Sequence, residues 1–157
     1  MSPRTDIKLT LIINQHMKRM LQVDRHEKAC FGVTLSQHYV IDALERRKML
    51  TMNALSQETG QAISTLTRVV DILVRDHLVD RHPSEEDRRK VCVQLTEKGE
   101  QLARKLKKCT ETFWTHVLKS IPDEKKEKLI DCIRTLDDAL DNTDMACCWK
   151  GEEKKEG

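Results

Sequence analysis

The chain has 157 residues, of which 34% are charged and only 3% aromatic. With so few aromatic residues, the apolar surface must come from aliphatic side chains in narrow helical stripes. Five Gly and three Pro are too few for the many turns of an all-β domain. A net charge of +2 does not by itself indicate a nucleic-acid-binding protein. We therefore predict one mostly α-helical domain, residues 1–157, in which any DNA-binding function rests on local pattern.

No segment of the sequence is typical of a membrane or secreted protein. The first ten residues mix Arg4, Asp6 and Lys8 with a few apolar residues, and nowhere do 18 apolar residues run together. We therefore expect a cytoplasmic protein without a membrane partner. In that compartment the six cysteines should be reduced thiols rather than a disulfide framework: Cys30, Cys92, Cys109, Cys132, Cys147 and Cys148.

The first half of the chain predicts three helices. Apolar residues recur every three or four positions over 7–28, which predicts a first amphipathic helix, and Gly32 then interrupts the pattern. The second helix is predicted to start with Ser36 as its N-cap and to run to about Lys48. A short third helix is predicted to have Thr51 as its N-cap and to stop at Gly60.

The middle of the chain predicts a fourth helix and a β-hairpin. Over residues 62–77 the apolar side chains fall on one face and small polar side chains on the other; the apolar set is Leu66, Val69, Val70, Leu73 and Val74. From Val91 to Leu95 apolar and polar residues alternate, which predicts a strand. Because residues 82–89 are polar and turn-rich, we predict a two-stranded hairpin with a charged tip.

The last part of the chain predicts two long helices and a tail. Thr96 and Gly99 open a helical pattern that Pro122 ends, and a last helix follows. Residues 143–157 end in a stretch that is nearly all charge and Gly, so we expect them to be disordered.

This order of elements is that of a winged helix-turn-helix, here residues 35–96, flanked by long helices at 7–28 and 97–142. In such a fold the second helix of the turn motif enters the DNA major groove and the hairpin, or wing, reaches along the backbone or into the minor groove. The candidate DNA contacts are the entry and outer face of the fourth helix and the hairpin tip: Gln61, Ser64, Thr65, Thr67, Arg68, Asp87, Arg88, Arg89 and Lys90. The alternative is a solvated helix face and a solubilising turn.

A series of short motifs between Leu35 and Gly99 carries a family resemblance. It consists of Leu35, Ser36 and Gln37; Leu55, Ser56 and Gly60; Ser64, Thr65, Leu66, Thr67 and Arg68; Leu78, Val79, Asp80 and Arg81; Asp87, Arg88 and Arg89; and Leu95, Thr96, Glu97, Lys98 and Gly99. The series resembles the MarR (multiple antibiotic resistance regulator) family of bacterial transcription factors.

The resemblance implies an obligate homodimer in which the first, fifth and sixth helices interlock and two recognition helices face a palindromic operator in double-stranded DNA. It also implies a repressor that an effector, often an aromatic or phenolic compound, releases from DNA. Arg89, two positions after Asp87, would enter the minor groove, with Arg88 as its near-equal. Ala62 stands where the family usually has a capping side chain, so we expect Gln61 or Ser64 to replace the cap.

Dimerisation also follows from packing. The first, fifth and sixth helices carry more apolar stripe than a small three-helix core can cover, and an uncovered stripe on a long helix is usually an interface. The alternative is that these helices pack on one another within one chain.

Several thiols and imidazoles are candidates for sensing an effector. His26, Cys30 and His38 lie near the junction of the dimerisation and DNA-binding regions, Cys109 can face the same space, and Cys147 and Cys148 form a vicinal pair. Tyr39 and His38 lie at the expected edge of a small-molecule pocket. The effector is thus a small molecule, an oxidant or a soft metal. No Cys-x-x-Cys metal signature occurs. The alternative is that these residues have no sensing role and are exposed histidines and half-buried cysteines.

No enzyme motif is visible, since the sequence shows no nucleophile with a base, phosphate loop or paired acids. We predict a DNA-binding protein that is not an enzyme and needs no cofactor. The competing interpretations are a thiol- or metal-responsive variant of the regulator, a cysteine-based redox enzyme, and a helical protein-interaction module that has lost DNA binding. The last should have lost Arg68, Arg88 and Arg89, all of which are present.

Overall fold

The computed structural model describes residues 3–83 and 91–143. Its elements, in chain order, are α1 (Pro3–Ala29), α2 (Leu35–Arg47), β1 (Met49–Thr51), α3 (Met52–Thr59), α4 (Ile63–Arg75), β2 (Val79–Pro83), β3 (Val91–Leu95), α5 (Glu97–Lys119) and α6 (Asp123–Asp141). The predicted winged-helix order is confirmed. The hairpin tip with Asp87, Arg88, Arg89 and Lys90, and the tail with Cys147 and Cys148, lie outside the described residues. The predictions for them, including a disordered tail, therefore stay predictions.

The wing contains a third strand that the sequence did not predict. β1 pairs antiparallel with β3, and β3 pairs antiparallel with β2, so that the strand order is β1-β3-β2. The register joins Leu50 to Val93 and His82 to Cys92. A strand of three residues is too short for an alternating pattern, so the sequence of residues 49–51 indicates only the approach to the third helix.

The aliphatic core lies in the first of two compact units, which ends at Thr112; the second begins at Phe113. The core joins the buried faces of α2, α3, α4 and α5 to strands β2 and β3, and its fully enclosed members include Val40, Leu44, Leu55, Leu66, Val70, Leu73, Val79, Val93 and Leu106. Within the described residues, no helix is long and apolar enough to span a membrane.

Threonine hydroxyls cap the starts of α2 and α3. The prediction that Ser36 caps α2 is wrong, because Thr34 is the N-cap. The Thr34 hydroxyl accepts from the Gln37 amide at 3.3 Å, and the Gln37 side chain accepts from the Thr34 amide at 2.7 Å, which is a capping box. The predicted cap Thr51 and the left-handed stop at Gly60 are confirmed for α3.

The backbone groups at the end of α4 are hydrogen-bonded within the helix and to residues at the start of α5. His77 adopts a left-handed conformation (φ 57°), while Leu78 N–H donates to the Leu73 carbonyl and His77 N–H to that of Val74, which forms a Schellman motif. The next three carbonyls are also paired. Asp76 O accepts from Lys98 Nζ (2.8 Å), His77 O from the Thr96 hydroxyl (2.8 Å) and Leu78 O from the Thr96 amide (3.1 Å). We call these contacts the α4–α5 joint.

Gly99 allows the close approach at the α4–α5 joint. A Cβ built on Gly99 would overlap the Leu78 carbonyl oxygen and would also crowd the Leu95 side chain. The Gly99 amide donates to the Thr96 hydroxyl at 3.0 Å, so this residue is fixed at the first turn of α5. Glycine is therefore needed at position 99 because the neighbouring residues leave no space for a side chain, and not because of its backbone angles.

We expect Gly99→Ala to destabilise the fold. On helix propensity alone the change would stabilise α5 by about 1 kcal/mol. The steric overlap with Leu78 should reverse this and lower the free energy of unfolding by about 1–3 kcal/mol, as in other overpacked sites. Urea unfolding followed by circular dichroism measures the difference. An Ala variant at least as stable as the wild type would show that the joint can open without cost.

Candidate nucleic-acid interface and effector site

Helix α4 has one buried and one exposed face, as predicted. Leu66, Val69, Val70 and Leu73 form the buried face, while Ser64, Thr65, Thr67 and Arg68 are all exposed. The Thr67 hydroxyl donates to the Ile63 carbonyl at 2.8 Å, so it retains only acceptor capacity. No ion-pair partner lies against the Arg68 guanidinium among residues 3–83 and 91–143. The exposed face therefore offers short hydroxyls and an available cation.

The first turn of α4 lacks a capping side chain. Its N-cap, Ala62, has extended backbone angles (φ −60°, ψ 142°) and contributes no side-chain hydrogen bond. Of Gln61 and Ser64, the two residues expected to replace the cap, Gln61 does not, because its amide donates to the Ser36 carbonyl at 3.3 Å and its Oε1 accepts no hydrogen bond from the described residues. The Ser56 hydroxyl fixes the Gln61 carbonyl at 2.7 Å. The amides of this turn carry a partial positive charge that suits a phosphate.

Arg81 is a residue of this interface that the sequence analysis included only in a motif, without a role. Its guanidinium forms an ion pair with Asp71 (Nη1 to Oδ1, 2.6 Å) and donates to the Thr67 carbonyl at 3.3 Å. It therefore links strand β2 of the wing to the outer side of α4. The ten-residue spacing between Asp71 and Arg81 gave no signal, because the two residues meet only after the chain has turned at His77.

The predicted sensor residues are only partly brought together. His38 and Cys109 are half-buried, whereas His26, Cys30 and Tyr39 are exposed. The His26 ring is hydrogen-bonded to the Gln22 carbonyl at 2.9 Å, within its own helix. In the part of the chain that the structure describes, no cluster of three or more His, Cys, Asp or Glu side chains has the arrangement of a metal site.

A buried lysine, which the sequence analysis missed, organises this region. Lys28 is only 1% exposed, and its Nζ lies 3.4 Å from Asp24 Oδ1 and 3.6 Å from Glu27 Oε2. It donates to the Thr110 hydroxyl at 2.9 Å, and this hydroxyl in turn donates to Glu27 Oε1 at 2.6 Å. We call Lys28, Asp24, Glu27 and Thr110 the Lys28 network. It joins the end of α1 to the middle of α5.

The Lys28 network affects the two half-buried candidates differently. Burial, followed by the positive charge of Lys28, lowers the pKa of His38, so its imidazole is held neutral. Burial, followed by the carboxylate of Glu27, raises the pKa of the Cys109 thiol. Because thiolates and not thiols are nucleophilic, Cys109 is a poor target for oxidants at neutral pH.

A cavity of about 340 Å³ lies next to this network, between α2 and α5. Its apolar part is formed by Ile41, Ala103 and Leu106, and its polar rim includes His38 and Thr110. The Nδ1 atom of His38 is buried, and among residues 3–83 and 91–143 it has no hydrogen-bond partner. Because a buried polar atom without a partner is costly, this nitrogen is available to a ligand.

We expect Lys28→Met to destabilise the fold by about 3–5 kcal/mol, because it leaves the carboxylate of Glu27 buried without its cation. The double variant Lys28→Met, Glu27→Gln removes the stranded charge and should recover most of the loss. Urea unfolding at pH 7 compares the two. A double variant no more stable than the single one would show that Lys28 acts through packing alone.

Stability should fall on acidification partly through His38. The unfolded chain takes up the His38 proton near the ordinary pKa of 6.5, whereas the folded chain takes it up only at lower pH. Protonation therefore favours the unfolded state as the pH falls below about 6.5, by at most about 1.4 kcal/mol per pH unit. Urea unfolding at pH 7 and 5 should show a smaller loss for His38→Gln than for the wild type. The neighbouring Tyr39→Phe serves as control, and an unchanged loss in His38→Gln would contradict the assignment.

Comparison with known proteins agrees with this architecture. The MarR family model matches residues 31–90. The uncharacterized HTH-type transcriptional regulator YfiV of Bacillus subtilis (strain 168) is 29% identical over 110 residues, which cover 70% of this chain and 69% of YfiV.

Solved structures show the same fold. A MarR family protein from Bacillus stearothermophilus has a TM-score of 0.79 at 27% identity and covers 89% of this chain and 98% of its own. A mutant of the E. coli MarR protein complexed with operator DNA has a TM-score of 0.70 at 19% identity, covering 87% and 99%. Over residues 31–90 the chain is thus similar to the MarR family, and its fold is that of MarR-family winged-helix transcriptional regulators.

Proposed function

We propose that two copies of this chain form a homodimer that binds a palindromic operator in double-stranded DNA and represses transcription until an effector releases it. The observation that carries the proposal is the exposed hydroxyl and guanidinium face of α4, fixed in place by a fully buried opposite face. The protein acts in the cytoplasm, by binding and not by catalysis.

The geometry of α4 supports insertion into the major groove. An α-helix fits that groove, and short side chains such as Ser64 and Thr65 let the backbone come close to the bases. Arg68 is long enough to reach a guanine edge or a phosphate. For the wing tip, the resemblance assigns Arg89, with Arg88 and Lys90 beside it and Asp87 before them, to the minor groove and its phosphates.

Exposed apolar side chains support dimerisation. On α1, Ile7 and Leu11 are 64% and 59% exposed, and on α6, Ile133 and Leu140 are 50% and 58% exposed. Exposed apolar side chains along a long helix are unfavourable in water and usually mark an interface. A second copy of the chain would cover both helices in the interlocked arrangement that the family resemblance implies.

A small molecule is the effector class that the described residues favour. The cavity beside His38 has an apolar floor and an imidazole nitrogen that none of the described residues hydrogen-bonds, and small-molecule sites combine an apolar lining with a few polar groups in this way. An oxidant is less favoured at Cys109 because its thiol pKa is raised. The thiol-responsive alternative then depends on exposed Cys30 or on Cys147 and Cys148.

Substitutions on α4 and at the wing tip should weaken DNA binding in different ways. With DNA from upstream of the protein's own gene, fluorescence anisotropy should show that Arg68→Ala lowers affinity about 10-fold or more, as expected for a lost base contact. Arg89→Ala should lower affinity and reduce the salt slope by about one, because it removes one phosphate contact.

Arg104→Ala is the matched control, since Arg104 lies on α5 and is paired with Glu100. If Arg68→Ala and Arg104→Ala lower the affinity for DNA equally, the loss comes from the reduced positive charge of the protein and not from a contact made by α4. If a random-sequence duplex binds as tightly as every promoter fragment tried, sequence-specific regulation is contradicted.

A further inference from the structure

A second cavity, of about 470 Å³, lies beside the α4–α5 joint and has no role in the function proposed above. Phe31, Val33, Leu78 and Leu102 supply its apolar lining, and Lys98 and Lys105 supply two ammonium groups. It shares no lining residue with the cavity at His38. Its walls come from the turn between α1 and α2, the end of α4 and the first turns of α5, all within the first compact unit.

The charge of this cavity is positive. The one acidic side chain in its lining, Asp76, is paired with the Arg75 guanidinium at 3.1 Å. The side chain of Gln37 is occupied as acceptor in the capping box of α2. Lys105 has no ion-pair partner among residues 3–83 and 91–143, and Lys98 only donates to a backbone carbonyl. Two ammonium groups next to an apolar wall match a ligand with one negative end and an apolar body.

We propose that this cavity binds a small monocarboxylate with an apolar body, whose carboxylate is held by Lys98 and Lys105 and whose body packs on Phe31 and Leu102. A carboxylate is a stronger acceptor for an ammonium group than a neutral carbonyl is. The bound ligand therefore competes with Asp76 O for Lys98.

Competition for Lys98 would change the α4–α5 joint. The Lys98 bond satisfies a carbonyl at the end of the recognition helix, where α-helices have no intrahelical donor left. When Lys98 turns to the ligand, one of the three bonds of the joint is lost and the last turn of α4 opens more often. The consequence for DNA binding rests on the proposed function, but ligand binding and helix opening do not.

Calorimetric titration of the full chain with octanoate, and with neutral octanamide, tests the site without DNA. We expect saturable 1:1 binding of octanoate, weakened about 10-fold or more by Lys98→Met and by Lys105→Met, and correspondingly weaker binding of octanamide. Lys107→Met is the matched control on the same helix, because Lys107 lines the other cavity. Circular dichroism verifies that each variant is folded.

Three results would overturn the site: no saturable octanoate binding by the wild type, equal binding of octanamide, or a loss in Lys107→Met that Lys98→Met does not show. Hydrogen exchange then tests the competition step. Octanoate should speed exchange of the His77 and Leu78 amides in the wild type but not in Lys98→Met, and unchanged exchange in the wild type would exclude that step. If octanoate binds as expected while no promoter DNA is bound specifically, the regulatory role fails and the site remains.

Discussion

The recognition surface depends on the burial of one face of α4. Leu66, Val70 and Leu73 are completely enclosed, and each contributes roughly 1.5–3 kcal/mol relative to an exposed side chain. That burial fixes the rotation of the helix about its axis, so Ser64, Thr65 and Arg68 can only face outward. The Arg81 contacts and the α4–α5 joint then fix the side and the end of the same helix.

Polar contacts hold α5 at two places, one against the DNA-binding region and one against α1. The joint ties the end of α4 to the start of α5 through Lys98 and Thr96, and the Lys28 network ties α1 to α5 through Thr110. A cavity lies beside each connection. Small ligands at these places would act on hydrogen bonds that hold whole helices. In the proposed dimer, such local binding would change the spacing of the two α4 helices.

The sequence predicted those features that depend on local pattern. The two faces of α4, the Thr51 cap and the Gly60 stop follow from periodicity and capping chemistry and are confirmed. It missed the features that depend on residues distant in the chain. In the sequence alone Lys28 looks like any solvated lysine, because its partner Thr110 is distant in the chain. The role of Arg81 likewise depends on its contact with Asp71. The Thr34 cap is an exception, since its Thr-x-x-Gln pattern is a local signal for a capping box that the prediction of Ser36 does not use.

The central claim is that two copies of the chain present two α4 faces to one duplex. The most direct measurement is native mass spectrometry of the chain with a promoter fragment it binds, combined with hydroxyl-radical footprinting of that fragment. The account predicts two chains per duplex and two protected half-sites about one helical turn apart. One chain per duplex, or protection without two related half-sites, would contradict it.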